Sequence, residues 1–184
     1  KEQSAAPASE PVEQSTSSAL ASQDYSSAYS SRPHSSMRRA IARRLTESKT
    51  TIPHFYLTAD CDVAELLELR KKLNEVSQVK ISVNDMVIRA VAAAFMDVPE
   101  ANVVWTQDQM LVYESADIAI AVATDGGLLT PVLRGVEKRS LGNIAASVRD
   151  LADRARSGKL RQEELEGGSF AITNLGMYGT EQFN

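Results

Sequence analysis

A two-layer α/β sandwich built on a mixed sheet is the fold class this sequence predicts. Three observations carry it. Apolar residues recur at helical spacing in four stretches. Between them lie short apolar blocks of strand length, some alternating and some continuous. The links between those blocks are turn-sized, as hairpins require, so neighbouring strands can pair antiparallel. Composition agrees in the mean, with 43% hydrophobic and 24% charged residues among 184, but the mean hides a split. Residues 1–36 hold 12 Ser, 6 Ala and 3 of the 6 Pro. Such a stretch cannot bury enough surface to offset its ordering entropy, and it reads as a flexible linker. Residues 37–184 hold nearly all the large aliphatic side chains and can form one core.

The elements follow in order. Met37, Ile41 and Leu45 repeat every four residues, which predicts a helix to about Lys49, flanked by Arg38, Arg39, Arg43 and Arg44. After Pro53, Phe55, Leu57, Ala59 and Cys61 alternate with polar residues and predict a strand. Asp62, with Glu65 three residues on, resembles a capping box and opens a helix to about Val76. Val83 to Val98 is apolar nearly all round, as a buried helix would be, and Pro99 closes it. Val103–Trp105 and Met110–Tyr113 read as a hairpin. Asp117 to Ala123 reads as a strand covered on both faces. Asp125-Gly126-Gly127 reads as a turn before a strand from Leu128 to Leu133. Ile144, Val148, Leu151 and Ala155 mark a helix ended by Gly158. Gly167-Gly168 precedes a last strand, Ser169 to Thr173, and a glycine-containing loop.

Several function classes fall away. A net charge of −4 gives no global cationic field for nucleic acid. The longest apolar run, Ala90 to Met96, is too short to span a bilayer. One cysteine, Cys61, allows no intrachain disulfide and no cysteine-rich zinc site, and two scattered histidines argue against a metal centre. A reducing compartment fits. The start at Lys1 rather than Met suggests a processed or cut N-terminus.

Four residues invite chemistry. His54 and Cys61 could pair as imidazole and thiol, but seven positions along a strand put them on opposite faces. That favours His54 as a strand-start residue and Cys61 as core. Arg70 falls inside the Leu66, Leu67 and Leu73 stripe of its helix. A guanidinium there must snorkel, pair with a carboxylate or meet an anionic ligand. Thr173, at a strand end, can donate to a developing oxyanion or simply bond backbone. Neither glycine pair sits in a phosphate-loop or dinucleotide-binding frame.

Six segments taken together resemble the catalytic core of the dihydrolipoamide acyltransferases, the E2 subunits of 2-oxoacid dehydrogenase complexes. They are Met37-Arg-Arg-Ala-Ile-Ala-Arg-Arg-Leu-Thr-Glu-Ser-Lys49, Ile52-Pro-His-Phe-Tyr-Leu-Thr58, Lys80-Ile-Ser-Val-Asn-Asp85, Val98-Pro-Glu-Ala-Asn102, Gly126-Gly-Leu-Leu-Thr-Pro-Val132 and Gly167-Gly-Ser-Phe-Ala-Ile-Thr-Asn-Leu-Gly176. They span residues 37–184 in order, and their wording is most like the pyruvate dehydrogenase, acetyl-transferring type.

The resemblance implies a chloramphenicol-acetyltransferase-like fold, incomplete at its C-terminus, in homotrimers that build a larger core. It implies coenzyme A as substrate and a lipoyl group on an upstream domain not present in this chain. Residues 1–36 match the swinging linker that would follow that domain. The partners implied are the lipoyl domain and, through absent upstream domains, the E1 and E3 subunits; neither nucleic acid nor membrane is among them. Bacterial cytoplasm or mitochondrial matrix is the implied location.

Of the site residues, the resemblance implies oxyanion stabilisation for Thr173 and coenzyme A contact for Arg70. The family's general-base histidine sits in a D-H-R-x-x-D-G motif well beyond the Thr173 position, and this chain has no histidine after His54. The expectation is therefore a truncated transferase core, inactive by itself, or else a non-catalytic assembly subunit like protein X. A free-standing acyl-CoA transferase would need a base of its own, and neither histidine is suitably placed.

Overall fold

The computed structural model describes residues 29–176 and 179–180; the greater part of the expected linker, residues 1–28, lies outside them. The chain divides into two compact units, 1–58 and 59–184.

In the first unit, α1 spans Ser36–Thr51, and the Ser35 side chain caps it by accepting from the Arg38 amide at 3.2 Å. The expected stripe of Met37, Ile41 and Leu45 is present, but no residue of α1 is buried. Lys49 donates to the Tyr56 hydroxyl and lies 4.8 Å from that ring's centroid. The strand expected after Pro53 does not form. The segment carries no regular secondary structure, no described strand pairs with it, and Phe55 and Leu57 are 81% and 87% exposed. Alternation alone gives one face a hydrophobic reason to be covered; without a ladder partner the backbone groups stay unpaired.

The second unit begins at Ala59 and carries the core. Cys61, expected inside, is exposed, because the strand that would have buried it is absent. α2 spans Ala64–Val76. Its start is not the expected capping box: the Asp62 carboxylate accepts from the Ala64 amide at 2.9 Å, and Val63 is the cap residue. Leu66 and Leu73 pack on the small cluster of Ile81, Met86 and Ala145, whereas Leu67 is exposed.

α3 spans Val83–Asp97 and starts with a full capping box between Ser82 and Asp85. Ile88, Ala92 and Phe95 give it the inward face. β1 (Val103–Trp105) and β2 (Met110–Val112) form the expected antiparallel hairpin. The strand expected over Asp117–Ala123 is interrupted at Ala121. β3 (Ile118–Ile120) pairs antiparallel with β6 (Val132–Leu133) and parallel with β7 (Phe170–Ile172). β4 (Val122–Thr124) pairs instead with β5 (Gly127–Leu129), folded back over the Asp125-Gly126 turn. The expected strand from Leu128 to Leu133 likewise splits into β5 and β6, with Pro131, which has no amide proton, between them.

The order β6-β3-β7 is thus a mixed sheet, as expected. α4 spans Leu141–Arg156, capped by Ser140, with Ile144, Ala145, Leu151 and Ala155 buried. Gly158, just beyond it, takes the left-handed φ of +66° that ends a helix cheaply in glycine. One cluster joins α3 and α4 to β3, β6 and β7, giving two layers. Phe95 and Phe170 meet across it edge to face, centroids 5.4 Å apart.

A polar hub and a close backbone approach hold β7 in place. Asn102, 1% exposed, donates to the carbonyls of Tyr113 and Ser115, each at 3.0 Å, and accepts from the Ser169 hydroxyl. Gly168 has φ +80°, and a side chain there would come within 3.0 Å of the Asp117 carbonyl. That close approach explains a glycine just before β7.

Candidate active site

β7 ends at Ile172, so the next residue, Thr173, leaves the sheet at its C-terminal end. Thr173 forms part of the wall of a cavity of about 330 Å³ in the second unit. Three other stretches supply most of the rest of the wall. The start of α3 contributes Ser82, Val83 and Asn84, fixed by the capping box. Ile120 to Ala123, where β3 gives way to β4, forms an apolar floor. α4 contributes Val148, Ala152 and Arg156, four residues apart and therefore on one face. Ala121, at the break between β3 and β4, is part of this lining.

The cavity is mostly apolar with a few convergent polar groups, the usual make-up of a small-molecule site. Its lining contains no histidine and one charged side chain, Arg156. The Thr173 hydroxyl can donate a hydrogen bond, and no carboxylate in the lining competes for it.

Arg70 is not part of that lining. Its Nε donates to the Ile81 carbonyl at 3.0 Å. Asn74 grips the same residue through both its backbone groups, its Nδ2 donating to Ile81 O at 3.0 Å and its Oδ1 accepting from Ile81 N at 2.7 Å. Ile81 directly precedes Ser82, so this clamp fixes the rim of the cavity at the head of α3. His54 is held locally, its Nδ1 2.7 Å from the Ile52 carbonyl. Among the described residues no group of three or more histidine, cysteine or acidic side chains could hold a metal ion. None of the described helices is long and apolar enough to cross a membrane.

A larger cavity of about 510 Å³ is lined by four arginines. Its charges are spent internally. Arg154 meets Glu164 through two bonds, at 2.6 and 2.8 Å, and Asp150 at 2.8 Å. Those hydrogen bonds, with one from the Arg161 amide, hold the Glu164 carboxyl down to about 2 and push the Arg154 pKa up. Arg134 donates to Asp117 at 3.2 Å and to the carbonyls of Glu163 and Glu166. This network braces the turn after α4 against β6 and leaves no clear anion site.

Sequence reasoning singled out Thr173, which lies in this lining, but not Ser82, Asn84 or Arg156, which share it. The Ser82-x-x-Asp85 spacing is a capping-box signal that marks the α3 rim. Arg156 carries no such signal, since a cation in the last turn of a helix is ordinary.

The cavity at the end of a sheet strand, with a hydroxyl residue in its lining, belongs to an α/β fold. The chain belongs to the 2-oxoacid dehydrogenases acyltransferase (catalytic domain) family, whose model matches residues 26–184. The mitochondrial dihydrolipoyllysine-residue acetyltransferase component of the pyruvate dehydrogenase complex from Dictyostelium discoideum is 51% identical over 151 residues, 82% of this chain and 24% of that protein. The mitochondrial pyruvate dehydrogenase protein X component of Mus musculus is 48% identical over 151 residues, 82% of this chain and 30% of that protein. The chain therefore spans about a quarter to a third of the length of these relatives. Among solved structures, dihydrolipoamide acetyltransferase from Azotobacter vinelandii matches with a TM-score of 0.80 and 28% identity, over 97% of this chain and 72% of that one. That structure is described with investigations of a serine, a histidine and an asparagine in the catalytic mechanism. The resemblance of the six sequence segments is thus confirmed at the level of the family and the fold.

Proposed function

We propose that this chain forms the oxyanion-stabilising side of a site that moves an acetyl group between dihydrolipoamide and coenzyme A in a pyruvate dehydrogenase complex. The observation that carries this reading is Thr173, placed by β7 on the wall of an apolar cavity in a chain of the acyltransferase family.

The chemistry divides as follows. A thiol of one carrier attacks the thioester carbonyl of the other. Its proton leaves to a base, a carbon–sulfur bond forms, and the carbonyl oxygen becomes an oxyanion. A hydroxyl aimed at that oxygen stabilises it more than the uncharged carbonyl, which lowers the barrier. Collapse breaks the old carbon–sulfur bond and the departing thiolate takes up a proton. Thr173 supplies the donor. The base is the histidine that the family resemblance implies, which the lining of this cavity does not contain. The Azotobacter relative is described with a serine, a histidine and an asparagine in its catalytic mechanism, which supports a reading with a hydroxyl and an imidazole at the site.

Arg70 completes the reading. With its Nε committed to Ile81, its terminal nitrogens are the groups proposed to contact coenzyme A. The lipoyl arm comes from an upstream domain, and the E1 and E3 subunits are reached through upstream domains too. The naming of both curated relatives as components of a complex supports assembly, proposed as homotrimers within a larger core. A mitochondrial matrix or bacterial cytoplasm suits these partners.

The test is Thr173→Ala in the intact native protein. Loss of one oxyanion donor should lower kcat by roughly a hundredfold. Unchanged turnover would remove Thr173 from the mechanism. The similarity to protein X favours a second reading, a non-catalytic assembly subunit; a native protein that assembles normally and transfers no acetyl group would select it.

A further inference from the structure

We propose that Arg156 is a specificity-determining residue of the Thr173 cavity, where its guanidinium recognises the phosphate groups of the thiol substrate. This rests on the acyl-transfer reading above and deepens it, because one proposed carrier is a polyanion and the other, dihydrolipoamide, is uncharged.

Three observations place the residue. First, Arg156 is the single charged side chain in the lining of the cavity that holds Thr173. It stands on the same α4 face as Val148 and Ala152, two turns from the apolar end of that wall. Second, it also borders the neighbouring hollow of about 310 Å³ lined by Ala123, Thr124 and Asp125, so it sits at a rim shared by two openings. A long anionic carrier needs such a rim: its thiol end must reach inward while its phosphates stay near water. Third, Arg156 is weakly committed. Its described ion-pair partner is Asp153, one turn back, at 3.4 Å, with side chains 61% and 68% exposed. Pairs of this kind contribute little.

The contrast within one helix end is instructive. Arg154, two residues earlier, is gripped by Glu164 and Asp150 at 2.8 Å or less. Exchanging the Asp153 contact for a phosphate would cost Arg156 little, and the planar fork of a guanidinium suits phosphate oxygens. The ordinary alternative is that Arg156 only complements the negative end of the α4 dipole. That role stabilises the helix and cannot distinguish substrates.

The experiment measures acetyl transfer by the intact native protein with two acceptors, coenzyme A and phosphate-free pantetheine, in the wild type and in Arg156→Gln and Arg156→Lys. Loss of one charge-assisted hydrogen bond should lower the ratio of kcat/KM for coenzyme A to that for pantetheine about tenfold in Arg156→Gln. Arg156→Lys should recover part of the ratio, and added salt should narrow the difference between wild type and Arg156→Gln. A ratio unchanged by Arg156→Gln, including one in which both acceptors lose equally, would overturn the proposal and leave Arg156 as a helix-end cation. Failure of the underlying reading looks different: the wild-type protein would transfer acetyl to neither thiol. In that case calorimetric titration with coenzyme A decides: affinity reduced about tenfold in Arg156→Gln upholds the anion site, and unaltered affinity overturns it.

Discussion

Replacing Asn102 with Ala should loosen the strand that delivers Thr173. Asn102 has its side chain in three hydrogen bonds, two donated to Tyr113 O and Ser115 O and one accepted from Ser169. These tie the end of the hairpin, the entry to β3 and the residue before β7 to one point. Alanine would leave two carbonyls and a hydroxyl to find other partners in a region that admits little water. A buried polar group left unsatisfied costs about 1–3 kcal/mol. Taking the low end for each of the three groups, the loss is about 3 kcal/mol. For a unit of this size each kcal/mol moves Tm by roughly 2–4 °C, so the melting temperature should fall by about 6–12 °C. Asn102→Asp is the sharper control. It keeps an acceptor for Ser169 but turns a carboxylate toward two carbonyl oxygens, and should destabilise at least as much. Differential scanning calorimetry of the intact protein gives the answer. A Tm within about 2 °C of wild type for both variants would refute the claim that this hub holds β7.

Two further outcomes follow from the charged residues. Glu164 is held near 2 by Arg154 and the Arg161 amide, below its ordinary value of 4.5. A depressed carboxylate contributes stability that is complete above its unfolded pKa and lost as pH falls through its folded one, so the loss runs from about pH 4.5 down to about pH 2. Tm against pH should drop over that window, and the drop should be shallower in Glu164→Gln; parallel curves would show that the pair is idle. Arg70→Ala should raise the KM for coenzyme A more than the KM for dihydrolipoamide, while equal changes would make Arg70 solely the Ile81 clamp.

Much of this fold was legible because single elements carried strong periodic signals. α3 and α4 show it best: continuous apolar faces, a proline or glycine just past each end, and a cap residue at each start. What failed were statements about pairing. Phe55 to Cys61 alternates as a strand does, but alternation says nothing about whether a partner strand exists. The division of Ile118–Ala123 between two sheets is set by what Pro131 and the Asp125 turn allow their neighbours to do. At the site, Thr173 was visible as a hydroxyl at a strand end. The cavity it faces was not, because its wall joins residues from 82 to 175. Arg70 shows the same limit. A cation in an apolar stripe signalled a need for a partner, expected as water, a carboxylate or an anionic ligand, whereas the structure gives its Nε the Ile81 carbonyl.

The most direct test of the account is acetyl transfer itself, measured as thioester formed from acetyl-coenzyme A and dihydrolipoamide by the intact native protein. The account predicts steady turnover in the wild type, reduced roughly a hundredfold in Thr173→Ala and largely retained in Thr173→Ser, which keeps the donor. Equal turnover in all three would contradict the central claim that Thr173 stabilises the oxyanion, and its absence in all three would contradict the assignment of acyl transfer to this protein.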